Sequence, residues 1–222
     1  MDVNNLVQTI AIYAIPVLFA ITLHEAAHGY VARHFGDMTA HAQGRISLNP
    51  LRHIDPVGTI VLPLVILVTT IAAGTGGFLF GWAKPVPVNY SALRKPRQHM
   101  AWVAAAGPAA NLAMALLWAL LLKLAVFLPE NDFSVPLGLM AQAGIVVNLV
   151  FMFLNLVPIL PLDGGRIVAS LLPHRAAWQY AKLERFGLVV LILLILPPLN
   201  LLGRVLNPLI DVSDALIRAM VL

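Results

Sequence analysis

Residues 6–28 read LVQTIAIYAIPVLFAITLHEAAH, an uncharged run from Leu6 to Leu23 that continues directly into His24-Glu25-Ala26-Ala27-His28. Such a run meets the requirement of roughly 18–20 residues for a helix that crosses the hydrocarbon core. On a helix, positions i and i+4 share a face, so the imidazoles of His24 and His28 can reach one ion. Glu25 stands beside that face, placed to act on a water molecule rather than to ligate. Ile21 to Phe35 contains no proline and Gly36 is a natural stop, so the motif reads as helical. An ionisable group in or beside a membrane segment is costly and is a functional candidate by default. The competing reading is a pair of histidines hydrogen-bonded in a polar helix end.

The rest of the composition fits that opening. Of the 222 residues, 60% are hydrophobic and 11% charged, with a mean hydropathy of +0.87. Ordinary soluble domains have roughly 45–50% and 25%, so a soluble domain could not cover this much apolar surface. Cysteine is absent, which excludes disulfides and thiolate ligands and leaves nitrogen and oxygen donors for any metal. The formal charge of +4 serves as a topology signal, and no nucleic-acid partner is expected. The N-terminus lacks the basic region and small-residue site of a cleavable signal peptide. The expectation is a single membrane-embedded domain over residues 1–222.

Four further stretches are uncharged: 57–80, 101–122, 133–162 and 186–203. Between the stretches lie three basic loops, which hold 11 of the 14 Lys and Arg, and one short acidic loop with Glu130 and Asp132. The positive-inside rule places all three basic loops in the cytoplasm. They cannot all be there if 57–80 crosses once. Four single crossings would also put the inner end of the first span and the far end of 133–162 on opposite sides. The sequence therefore predicts that 57–80 re-enters the membrane and leaves on the same side, with Pro63 and Gly74-Thr75-Gly76-Gly77 available for a turn. It predicts an all-α polytopic protein with core helices at about 5–34, 99–128 and 137–162 and an additional helix at about 186–206. Residues 82–89, Trp-Ala-Lys-Pro-Val-Pro-Val-Asn, read as a short β-element at a sheet edge, with Arg45 to Leu48 as partner, or as a rigid proline linker. The stretch 207–222 has the spacing of an amphipathic helix at or near the interface.

A catalytic zinc needs a third protein ligand and one open position. Asp163 is the candidate. It follows Asn155-Leu-Val-Pro-Ile-Leu-Pro-Leu, where Pro158 and Pro161 break the helix and let a short carboxylate turn inward. Gly164 and Gly165 permit close approach. The alternative is that Asp163 caps the segment after it. Asp37, Asp55 and Glu184 read as solvated or paired loop residues. His34, His41, His53, His99 and His174 read as surface residues, and Lys123 as snorkelling. Asn111 with Gly107 reads as helix packing.

Taken together, His24 to His28, Gly107-Pro108-Ala109-Ala110-Asn111 and Asn155 to Gly165 resemble the site-2 protease family of intramembrane metalloproteases. The segment Gly81 to Asn89 is similar to the subgroup that carries only the membrane core, without PDZ-like or nucleotide-sensing domains. The likeness covers roughly residues 20–170. It implies a three-helix core in the cell membrane holding Zn2+ a short way inside the cytoplasmic face. It implies His24, His28 and Asp163 as ligands, Glu25 as base, and Asn155 near the substrate carbonyl. It further implies a transmembrane protein substrate, cut in regulated intramembrane proteolysis.

On this reading Glu25 takes a proton from water and passes it to the leaving amine. Asn155 either donates to the developing oxyanion or serves helix packing. The 84–88 edge is a possible seat for an unwound substrate strand. Two other classes stay open. A prenyl-protein endopeptidase or other membrane zincin would use a glutamate as third ligand. A non-catalytic scaffold or transporter would have no need of Glu25. Oligomeric state is not legible.

Overall fold

A computed structural model describes residues 3–61, 65, 83–196 and 200–221, with side chains from residue 7 onward. Among the described residues the chain is helical and forms no strand. Among the described residues, three helices are long and apolar enough to cross a membrane: α1 (Val3–His34), α3 (Pro96–Phe127) and α4 (Ser134–Asn155). A one-turn helix α2 (Thr39–Ala42) follows the first. After α4 come α5 (Asp163–Leu171), α6 (His174–Ala181), α7 (Glu184–Ile195) and α8 (Leu201–Val221).

α3 and α4 are joined by a short turn in which Asn131 Oδ1 accepts from Phe133 and Ser134 N–H, so the two run antiparallel and in contact. Beside large residues such as Trp118 and Ile145, they bury a set of small ones. Ala104, Gly107, Ala115 and Ala119 of α3 and Ala141 and Gly144 of α4 face inward. Leu117, Leu120, Leu124 and Phe127 face out. Such a pattern is inside-out for water. In lipid it is the expected one, because small residues let backbones approach while large apolar side chains face the tails.

The third core helix ends at Asn155 rather than near 162, because the two prolines leave 156–162 as a turn. Asp163 then opens α5 as its first helical residue, so it does not act as the cap; Leu162 holds that position. The single helix expected over 186–206 is two, α7 and α8, and Pro197-Pro198 in the sequence explains why α7 stops at Ile195. α8 does not simply lie along the interface. Leu202, Leu206, Ile210 and Ile217 enter the same core cluster as Trp118, Leu122, Ile145 and Leu149. Lys123 is not merely snorkelling, since its Nζ donates to Val221 O at 2.6 Å.

The two ends of the segment between α1 and α3 lie close together. Arg94 N–H donates to Phe35 O at 3.0 Å, and Lys84 N–H to His53 O at 2.9 Å. Residues 57–61 make part of a single π-helical turn, Pro56–Val61; otherwise the expected re-entrant path of 57–80 lies outside the described residues except Val65. The expected β-element is not formed. Residues 83–89 make no ladder with Arg45 to Leu48; Lys84 N–H goes to His53, and the Arg45 guanidinium takes Lys84 O and Pro85 O at 2.9 and 3.2 Å. Pro85 and Pro87 have no N–H to offer a ladder.

Candidate metal centre

His24 and His28 project one turn apart from α1 toward α3 and the start of α5. Their Nε2 atoms are 3.1 Å apart, and Asp163 Oδ2 lies 3.1 Å from the first and 3.3 Å from the second. All three side chains are buried, and they are the group of three among the described residues whose donor atoms lie within 4.8 Å of one another. The expected ligands are thus together. The turn that carries Asp163 is fixed by close packing: a Cβ at Gly165 would meet Ile159 and Leu160 backbone, and one at Gly164 would overlap Leu156. Neither glycine has a positive φ, so close approach is the reason for both. The Leu160–Pro161 bond is cis, and Tyr180 OH donates to Pro158 O at 2.8 Å.

The protons in this cluster can be traced from a backbone carbonyl. Gly144 O can only accept, so the atom 2.8 Å away is Asn148 Nδ2, and Asn148 Oδ1 is turned toward Asn111. Asn111 Nδ2 then donates to Asn148 Oδ1 at 3.0 Å and to Ala20 O at 3.2 Å, which turns Asn111 Oδ1 toward His24. His24 Nδ1, 2.6 Å from that oxygen, must donate. His28 Nδ1 must donate as well, to Val103 O at 2.7 Å. Both neutral imidazoles therefore present an Nε2 lone pair, and the third donor is a buried carboxylate oxygen with no hydrogen-bond donor of its own.

Three electron-pair donors facing one another repel. Only a positive centre relieves this, either a proton shared with Asp163 or a metal ion among all three. Burial would push the Asp163 carboxyl up, but a proton carried on the imidazoles of His24 and His28 beside it holds it well below the usual carboxylate range. Two imidazole nitrogens and one carboxylate oxygen, each imidazole oriented through its far nitrogen, match what a divalent zinc site requires.

Gly107 and Asn111 belong to this centre rather than to packing alone. A Cβ on Gly107 would stand within 2.6 Å of both imidazoles. Asn111 and Asn148 are fully buried and form the relay to His24. Asn148 carried the same signal as Glu25, a polar residue in a membrane span. Glu25 is half-buried, and its Oε2 accepts from Val86 N–H at 2.7 Å. Asn155 stands at the end of α4, where Nδ2 donates to Phe151 O at 3.0 Å and one amide hydrogen remains. Glu184 opens α7 and is not part of the three-donor group. His53, expected at the surface, is buried, with its ring 2.8 Å from Ser47 O.

Comparison with known proteins gives relatives named for zinc chemistry. YwhC of Bacillus subtilis (strain 168), named a putative zinc metalloprotease, is 39% identical over 189 residues, 84% of this chain and 80% of YwhC. Rip2 of Mycolicibacterium smegmatis and Rip2 of Mycobacterium tuberculosis (strain H37Rv), which bear the same designation, are each 33% identical over 188 residues. Those matches take in 82% of this chain and 66% and 65% of the two longer proteins. No family model matches, and no solved structure does. With this identity over most of both sequences, the chain belongs to the family of zinc metalloproteases that holds YwhC and Rip2, the site-2 protease family.

Proposed function

We propose that the chain is an intramembrane zinc endopeptidase of the minimal-core kind, which hydrolyses a peptide bond in a transmembrane segment of another membrane protein. The observation that carries this is the convergence of two proton-free Nε2 atoms and a buried carboxylate, next in sequence to Glu25, on helices apolar enough to span a bilayer. His24, His28 and Asp163 hold zinc. A zinc ion there supplies Lewis acidity, which acidifies water and polarises a carbonyl.

Glu25 takes a proton from the attacking water at a carboxylate oxygen as the new C–O bond forms. It returns that proton to the amine nitrogen as the C–N bond breaks. The remaining amide hydrogen of Asn155 donates to the oxygen on which negative charge develops. The basic residues flanking the inner helix ends support a multi-pass cell-membrane protein with its site toward the cytoplasm. A cleft of about 460 Å3, bordered by Val88, Leu160, Arg166 and Glu184, adjoins the turn that carries Asp163, and the reaction needs a polar route of this kind for water and an unwound peptide. Proteolysis within the membrane in response to a signal is the fitting physiological use.

The test is zinc content and cleavage of a membrane-spanning reporter by purified variants. Glu25→Gln should keep zinc and lose about 100-fold or more in rate. Asp163→Ala should lose both. Wild-type cleavage by either variant ends this reading. Glu184→Gln should keep zinc, whereas its loss would favour a glutamate-ligated zincin.

A further inference from the structure

Lys84-Pro85-Val86-Pro87 contains one backbone donor between two residues that have none. That donor, Val86 N–H, lies 2.7 Å from Glu25 Oε2, a contact between residues 61 apart in the chain. The segment that carries it is fastened on both sides. Lys84 N–H is held by His53 O, Lys84 O and Pro85 O by the Arg45 guanidinium, and Asn89 N–H by Asp37 Oδ2 at 2.6 Å. Asp37 is fully buried, and Val86 is 5% exposed. Gly29, one turn beyond Glu25, makes room: a Cβ there would come within 2.9 Å of Ile46 and 3.2 Å of Val86.

We propose that Val86 is a positioning residue for the general base: its N–H fixes one carboxylate oxygen of Glu25 and leaves the other to take the proton from water. The inference rests on the reading of Glu25 as the base. A glutamate beside a metal centre has three rotatable bonds and two oxygens, either of which can swing in and ligate. A charge-assisted hydrogen bond from a backbone tied on both sides restricts that freedom. The prolines make the arrangement specific. A slip of the segment by one residue presents no donor at all, and a slip by two toward Lys84 calls on an N–H already held by His53. Val86 N–H is for the same reason not a free edge for a substrate strand, since taking it would release the base.

The test uses the purified full-length protein with a membrane-spanning reporter, and measures zinc content, kcat and KM for Val86→Pro, Val86→Ala and Glu25→Gln. Val86→Pro removes the N–H and exchanges the valine side chain for a ring in an already proline-flanked segment, and Val86→Ala separates the two changes. Val86→Pro should retain one zinc and a KM within about threefold while kcat falls about 10- to 100-fold, part of what a whole acid–base group contributes. Val86→Ala, which keeps the N–H, should restore kcat to within about threefold of wild type. Wild-type kcat for Val86→Pro beside an inactive Glu25→Gln overturns the positioning role and leaves the base intact. An active Glu25→Gln overturns the base itself. Equal losses in Val86→Pro and Val86→Ala assign the effect to side-chain packing and also overturn the proposal. If Val86→Pro fails to hold zinc, Arg45→Ala decides, because it frees the carbonyls of residues 84 and 85 without touching a metal donor. A lowered kcat with unchanged KM and zinc supports the proposal, and an unchanged kcat overturns it.

Discussion

His24 and Glu25 are neighbours in sequence and are held in opposite ways. The imidazoles of His24 and His28 are fixed from within the helical bundle, by Asn111, Asn148 and a carbonyl of α3, all buried and all on continuous helices. Glu25 is fixed from outside it, by a non-helical segment that Arg45, His53 and Asp37 tie to the rest of the chain. The difference follows from what each part must do. A metal cradle has to keep its geometry through every turnover, and helix-borne side chains with locked rotamers give that rigidity. The side from which a peptide arrives must admit water and an unwound strand, and there a segment held by a few hydrogen bonds can yield where a packed helix cannot.

If that contrast is right, a small change on the helical side removes the metal, while changes in the outer segment leave it bound. The largest effect is expected from Gly107→Ala. The added methyl would stand within 2.6 Å of both imidazoles. Zinc affinity should fall by more than about 100-fold, beyond the 10–100-fold that loss of an outer-shell partner costs. The same substitution at Gly138, where the nearest atom to a Cβ is Ala125 Cβ at 3.7 Å, should leave zinc stoichiometry unchanged. Metal analysis of the two purified variants checks the pair. Zinc bound normally by Gly107→Ala would break the contrast at once.

Next in size is the relay. Asn111→Ala removes the acceptor that holds His24 in its Nδ1–H form, and zinc affinity should fall about 10- to 100-fold. Asn148→Ala should cost less, because Asn111 keeps its bond to Ala20 O. Asn148 reaches the metal only through Asn111, so the double variant should bind zinc no more weakly than Asn111→Ala alone. Competition with a chelator of known affinity measures all three. Additive losses would mean that Asn148 acts by some route other than the relay.

Much of this was legible in the sequence, and the limit is a physical one. Periodicity and length locate helices, so the three spans and the motif on α1 could be read directly. The placement of Asp163 opposite the histidines followed from topology, since charge and parity required the two ends on one side. The relay was not legible. Gly107 and Asn111 were visible as a motif, but a small residue and an amide in a span fit close packing as well as they fit a metal centre. Only the distance to His24 separates those uses. The strand expected at 82–89 failed for a related reason. Its proline spacing leaves Lys84 and Val86 as donors either side of Pro85, but spacing does not say what receives a bond, and Glu25 is the acceptor for Val86. The break between α7 and α8 was signalled by two prolines and overridden by an apolar run that continued through them.

The smallest effect is expected where the two regimes meet, in the turn 156–162 between α4 and α5. Tyr180 OH donates to Pro158 O at 2.8 Å, a side-chain bond to that turn. Tyr180→Phe deletes it without changing shape. A single hydrogen bond of this kind contributes about 0.5–1.5 kcal/mol, and here the lower end applies, because Tyr180 is only partly covered and water can replace its hydroxyl. The turn also has supports that do not depend on Tyr180: Gly164 and Gly165 seat α5 against its backbone, and Gly187 of α7 lies against Leu160. Zinc affinity should therefore change by less than about threefold. A drop as large as that of Asn111→Ala would show that Asp163 is held from the surface rather than by the packed glycines, and the division between a rigid inner cradle and a yielding outer segment would have to be redrawn through the ligand itself.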